Sequence, residues 1–296
     1  MYYILSLLSG VLLAIMIALN GALAGEYGLH WATICIHVTG LALAVILVLA
    51  KRERPFAKRQ PWFLYLGGAI GVLLTVFNNF AFGRISVSAI LALVLLGQSI
   101  TGLIMDHYGL WGMQKRRFSK GNLVGIILIL CGIAPMLTDF EIIAVAMSFV
   151  SGIAVVFTRT INAKLADATT VRVGTLFNYV VGLSIALPIY FLFGGAEAGE
   201  APLWSFVPTA SHWYIYLGGV IGLATIVLSN ITVLKISAFY LTLLVFIGQV
   251  ATGIFIDALL DESFSARIFL GGVLVTAGLA ANLLMDRKRQ KEAPTN

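Results

Sequence analysis

Charge is scarce in this sequence of 296 residues. Asp, Glu, Lys and Arg make up 11% of it, while 60% is hydrophobic and the mean hydropathy is +0.99. Soluble domains carry about a quarter charged residues, so too little polar surface is present here to coat a water-soluble globule. Cysteine is scarcer still. Cys35 and Cys131 lie singly inside apolar stretches without metal-ligand spacing, which points to buried structural thiols rather than a redox or metal centre. The chain has no Gly-Lys-Ser/Thr phosphate loop to support ATP hydrolysis. It also has no His-x-x-x-His, no paired acidic motif and no cysteine in a catalytic setting, which leaves a membrane enzyme without visible machinery. No catalytic residue, metal or cofactor is expected.

Apolar runs long enough to cross a bilayer core about 30 Å thick recur along the chain. They fall at 2–24, 31–50, 62–82, 87–105, 123–137, 142–160, 173–193, 213–234, 239–256 and 268–285. The first is expected to be retained rather than cleaved as a signal peptide, because no Lys or Arg precedes it and it has a counterpart deep in the chain.

The counterparts come from an internal repeat. Tyr65 to Gly71 returns at Tyr216 to Gly222, and Gly97-Gln98 to Asp106 returns at Gly248-Gln249 to Asp257, both 151 positions on. Ser9-Gly10 and Asn20 return 142 positions on as Ser151-Gly152 and Asn162, and Gly125 and Gly132 return 146 positions on as Gly271 and Gly278. The sequence thus predicts an all-α integral membrane fold of ten transmembrane helices in two five-helix repeats, 1–137 and 138–285, with a basic tail at 286–296.

Charge placement orients the repeats. Lys51, Arg52, Arg54, Lys58 and Arg59 fill one loop and Lys115, Arg116, Arg117 and Lys120 another, while the corresponding loops of the second half carry Glu197, Glu200, Asp257, Asp261 and Glu262 with Arg267 alone. With both termini cytoplasmic, every Lys and Arg except Arg84 and Arg267 falls on the inner side. An odd number of crossings per unit then inverts the second repeat. The net charge of +6 is explained by these loops, so the lipid bilayer and not nucleic acid is the expected partner.

The Leu-Gly-Gly-x-Ile-Gly stretch, the Gly-Gln-x-x-Thr-Gly-x-x-x-Asp segment and the basic loop before a Gly-rich fifth helix resemble the YdcZ-like family of the drug/metabolite transporter superfamily, in a fused two-repeat form. The resemblance implies a multi-pass transporter of the cytoplasmic membrane and leaves the cargo open. Small multidrug exporters of that superfamily carry a glutamate in their first helix. Residues 2–24 hold no acid, which argues against that mode and favours a neutral or zwitterionic solute.

An inverted repeat supports alternating access around a site at the repeat interface, so polar residues at membrane depth are sought in pairs. Gln98 and Gln249 share helix faces with Thr101 and Thr252 and are candidate solute contacts or interhelical glue. Asn79 with Asn230 and Asn20 with Asn162 form further pairs. Arg84 and Lys235 are either a cationic rim at each mouth or snorkelling side chains, and Asp106 and Asp257 either relay protons or bond nearby loops. His37, aligned with Tyr179, is a coupling candidate or a hydrogen-bonded structural histidine, and Arg159 either binds solute or snorkels. Gly67 with Gly71 and Gly218 with Gly222 are expected to pack helices closely. The expected function is secondary transport of one small organic solute, with a non-transporting membrane scaffold or, less favoured, a membrane enzyme as alternatives. A monomer suffices, because one chain holds both orientations; a dimer is compatible.

Overall fold

The structure, a computed structural model, describes residues 1–55, 59–109, 120–136, 141–194, 200–203, 212–233, 238–260 and 266–292. Its helices are α1 (Tyr2–Tyr27), α2 (Leu29–Ala50), α3 (Leu66–Ala81), α4 (Val87–Tyr108), α5 (Lys120–Ile133), α6 (Ile142–Ala168), α7 (Val171–Phe193), α8 (Gly218–Val233), α9 (Ala238–Leu260) and α10 (Ala266–Glu292). No strand occurs among the described residues. Each expected apolar segment coincides with one helix. Six stretches are long and apolar enough to cross a membrane, in α1, α2, α4, α6, α7 and Trp62–Ala81. The other four segments hold shorter apolar helices among the described residues.

Local chemistry sets the breaks. Gly28, at φ 95°, turns α1 into α2, and Gly83, at φ 77°, separates α3 from α4; only glycine adopts these backbone angles without strain. Short 3-10 turns at Trp62–Tyr65 and Trp213–Leu217 lead into α3 and α8 at repeat-related positions. Two boundaries depart from expectation. α6 continues from 160 to Ala168 because Ala163 to Ala168 contains no helix breaker, and it stops where Thr170 caps α7 through Val173 N–H. Residues 286–292 extend α10, since Arg287 to Glu292 are strong helix formers ahead of Pro294.

The chain divides into two compact units that cut across the two halves of the sequence. One comprises Met1–Ala14, Ile85–Ile153 and Thr232–Asn296, the other Ile15–Arg84 and Ala154–Ile231. Each unit therefore takes corresponding pieces of both halves, and the chain passes between them within α1 and within α6.

In the first unit, equivalent helices run antiparallel. A β-carbon built on Gly132 would lie 2.6 Å from the Gly271 carbonyl oxygen, and one on Gly278 would lie 2.8 Å from that of Gly125, so α5 and α10 cross head to tail at their glycines. Gly152 abuts the Val94 carbonyl as Gly10 abuts that of Val245, again at repeat-related positions. Asp257, near the end of α9, accepts from the first amides of α4, Val87 N–H at 2.6 Å and Ser88 N–H at 2.9 Å, and from the Ser88 hydroxyl. An aspartate in this position satisfies helix-start amides that lack intrahelical acceptors. α4 and α9 thus meet end to start.

In the second unit, α2 and α7 pair in the same way. The N-cap of α2 is Gly28, which has no side chain to offer; Glu200, beyond the end of α7, supplies the cap by accepting from His30 N–H at 2.6 Å and Trp31 N–H at 3.0 Å. At the opposite end Glu53, beyond α2, accepts from the Thr170 hydroxyl at 2.6 Å and Arg172 Nε at 2.6 Å, where α7 begins. His30 and Arg172 are 142 residues apart. Each helix is therefore tied at its start by an acid that follows the other.

Candidate solute site

The second unit gathers most of the polar residues singled out by sequence. At the crossing of α2 and α7, His37 and Tyr179 meet edge to face with ring centroids 6.0 Å apart. The His37 ring fills the space a β-carbon on Gly182 would need, with Nε2 2.5 Å from that position, and the Tyr179 ring does the same at Gly40. His37 Nδ1 pairs with the Thr33 carbonyl at 2.7 Å, and the Tyr179 hydroxyl donates to the Gly219 carbonyl at 3.3 Å. Both rings are buried. The coupling candidate is thus a packed, hydrogen-bonded residue.

The asparagine pair behaves with partial symmetry. The Asn162 carbonyl oxygen presses on Gly67, and that of Asn20 presses on Gly218, each so closely that no β-carbon would fit at the glycine. Asn162 also donates through Nδ2 to Asn178 Oδ1 at 3.0 Å. Asn20 Oδ1 is buried without a hydrogen-bond partner among the described residues, as are Asn78 Oδ1 and Asn79 Nδ2 at the end of α3. The glycine pairs flagged by sequence therefore include direct seats for the asparagines, beyond general helix packing.

Arg84 is exposed and turned onto its own helix end, with Nη1 donating to the Phe80 carbonyl and the guanidinium 3.9 Å from the Phe80 ring centroid. Arg159 lies inside α6 with an exposed side chain. At the loop ion pair, burial alone would raise the Glu53 carboxyl, but the Thr170 hydrogen bond and the Arg172 guanidinium outweigh it and hold the group below the usual carboxylate value.

The remaining candidates lie in the first unit. Gln249 and Thr101 are buried, Thr101 donating to the Gly97 carbonyl at 2.8 Å, while Gln98 and Thr252 are half-buried. The backbone amide of Gln98 stands 2.9 Å from where a β-carbon on Gly152 would sit, and that of Gln249 3.0 Å from the same position at Gly10. Both glutamines thus occupy helix crossings. Lys235 lies outside the described residues, and the side chains of Asp106 and Asn230 are likewise not described, although their backbones belong to α4 and α8.

Sequence reasoning passed over Asn178, Asn78, Glu53 and Glu200 as site residues. One signal was available for Glu53: it is the single acid among the five bases of residues 51–59. Asn178 and Asn78 adjoin flagged residues, but neither is repeated 142 or 151 positions away, so a search by pairs misses them.

The family described as "Putative inner membrane exporter, YdcZ" matches the chain twice, over residues 1–135 and 143–281. The chain belongs to this family. As a YdcZ protein it is a multi-pass protein of the cytoplasmic membrane, and its two matched segments correspond to the two halves read from the repeat. No curated protein matches it. A solved structure known only as "Crystal structure of protein" is similar over 97% of each chain, with a TM-score of 0.61 and 16% identity; at that identity the likeness concerns the fold alone.

Proposed function

We propose that this YdcZ protein is a secondary transporter that exports one small organic solute by alternating access between two inverted five-helix repeats, with both termini cytoplasmic. The observation that carries the reading is the reciprocal pairing of equivalent helices. His37 on Gly182 and Tyr179 on Gly40 are the same contact made twice in opposite directions. So are Asn20 on Gly218 and Asn162 on Gly67. Antiparallel contacts in the pairs α2 with α7, α4 with α9 and α5 with α10 support the inversion, because equivalent helices of two units sharing one orientation would run parallel. A pseudo-twofold of this kind allows two states of nearly equal energy related by exchange of the repeats, as alternating access requires.

The solute is held in the second unit, among residues that include Asn20 and Asn79. Gln98 and Gln249, with Thr101 and Thr252, serve helix packing in the first unit. Asp257 acts as a helix cap. Export follows the direction carried in the family's description. The chain has no enzymatic role in this account, and the sequence and fold are consistent with action as a monomer.

Counterflow in proteoliposomes tests the proposal. Purified protein should exchange at least one labelled solute from a panel of amino acids, sugars, amines and nucleosides faster than empty liposomes do. Exchange at the background rate across the panel, with no ligand-induced rise in Tm, supports the scaffold reading instead.

A further inference from the structure

Asn20 and Asn162 occupy equivalent positions and seat their carbonyl oxygens on equivalent glycines, yet Asn162 donates through Nδ2 to Asn178 while Asn20 Oδ1 is buried without a partner among the described residues. The residue 142 positions before Asn178 is Ile36, which has no side-chain polar atom. The inequality is therefore written into the sequence, and exchange of the repeats does not remove it. The neighbourhood of Asn20 repeats the pattern. Gly21 packs on the ring of Phe82, the residue directly after α3. Asn78 and Asn79, in the last turn of that helix, also bury amide atoms without partners among the described residues. Each of the three asparagines is only 5% exposed. A buried polar atom left without a partner costs roughly 1–3 kcal/mol, so three on α1 and α3, which the Gly21–Phe82 contact brings together, mark a place completed by something else.

Neither α3 nor residues 15–25 of α1 carry a charged side chain. Arg84, three residues beyond the end of α3, is exposed and engaged with Phe80. Neutral amides offer a donor and an acceptor each, which suits an uncharged partner bearing both kinds of group and gives no counter-charge to a cation or an anion.

We infer that Asn20 is the solute-contacting member of its pair and Asn162 the structural member, and that the solute presents an uncharged amide, carbonyl or hydroxyl group to Asn20, Asn78 and Asn79. This rests on the transport reading above for its site, but binding alone can test it. Purified protein is assayed by thermal shift and by counterflow with nicotinamide and uridine as uncharged probes, choline as a cation and succinate as a dianion.

The expected result is stabilisation and exchange by an uncharged probe. Asn20→Ala and Asn20→Ser should each raise its half-saturation about tenfold, corresponding to loss of one net hydrogen bond, at nearly unchanged ligand-free Tm. Asn162→Ala should lower the ligand-free Tm and leave half-saturation as in wild type. The inference is overturned if both Asn20 variants keep wild-type half-saturation, if Asn162→Ala weakens binding equally, or if choline or succinate alone stabilises the protein. It is also overturned if no probe stabilises the protein, or if Asn20→Ala lowers only the ligand-free Tm, as removal of a site for a structural water would. Stabilisation through Asn20 without exchange supports the inference and removes the transport reading; exchange with unaltered affinity in both Asn20 variants does the reverse.

Discussion

His37 and Tyr179, 142 residues apart in sequence, touch each other at the crossing of α2 and α7, and each rests on the glycine that lies three residues beyond the other. Equivalent residues of two repeats meet only near an axis relating them, and under the proposed exchange this contact would be its pivot. A methyl group on either glycine would overlap an aromatic ring. Gly40→Ala and Gly182→Ala are each expected to destabilise the protein by about 1–3 kcal/mol through overpacking. Thermal unfolding in detergent, followed by tryptophan fluorescence, checks this; unchanged Tm values in both variants would remove the close crossing.

Glu53 gives the protein a pH-dependent tie. Its folded-state pKa lies below the ordinary value of 4.5, so its contribution to stability is fully present above that value and is lost as pH falls through the folded one. Glu53→Gln should lower Tm at pH 7 and narrow the gap from wild type below about pH 4.5. A constant gap from pH 7 to pH 3 contradicts the assignment.

At the opposite end of the same helix pair, Glu200 caps α2 where Gly28 cannot. Glu200→Ala is expected to cost roughly 1 kcal/mol, the usual worth of a helix N-cap. Hydrogen exchange at residues 29–33 reads the effect directly, and protection unaltered by Glu200→Ala excludes the cap.

Asp257 divides structural from relay roles. If it only caps α4, Asp257→Asn should keep part of its stabilising effect and leave the response of solute exchange to a pH gradient as in wild type, whereas Asp257→Ala should lower Tm further. Proton-coupled exchange abolished by Asp257→Asn at wild-type Tm would return Asp257 to the relay. The repeat pairs Asp106 with Asp257, so Asp106→Ala is expected to match Asp257→Ala in its effect on Tm.

The fold was legible in the sequence to a degree set by how strongly each feature is constrained. Apolar length located the helices of the described residues, six stretches of them long and apolar enough to cross a membrane, and the paired glycines foretold close crossings because only glycine lets backbones approach that far. Helix ends were harder. The last two turns of α6 and the basic end of α10 lack breakers, so charge was mistaken for a loop signal when it only marks departure from the lipid. Pairing by repeat led to the matching contacts of Asn20 with Asn162 and of His37 with Tyr179, but could not show the differences between the asparagines' partners. Those depend on Asn178 and Ile36, which occupy one equivalent position with opposite chemistry, and a search for likeness is blind to that difference. The division into two units was hidden for a related reason: it runs through the middles of α1 and α6, where the sequence is as apolar as elsewhere.

Inversion of the repeats is tested most directly by sidedness. With Cys35→Ala and Cys131→Ser as background, Phe56→Cys and Glu197→Cys are introduced singly and labelled in intact cells with a membrane-impermeant maleimide. The account predicts labelling at position 197 from outside and at position 56 only after the membrane is opened. Both positions labelled from the same side would contradict it, and the reciprocal contacts at His37 and Tyr179 would then need another origin.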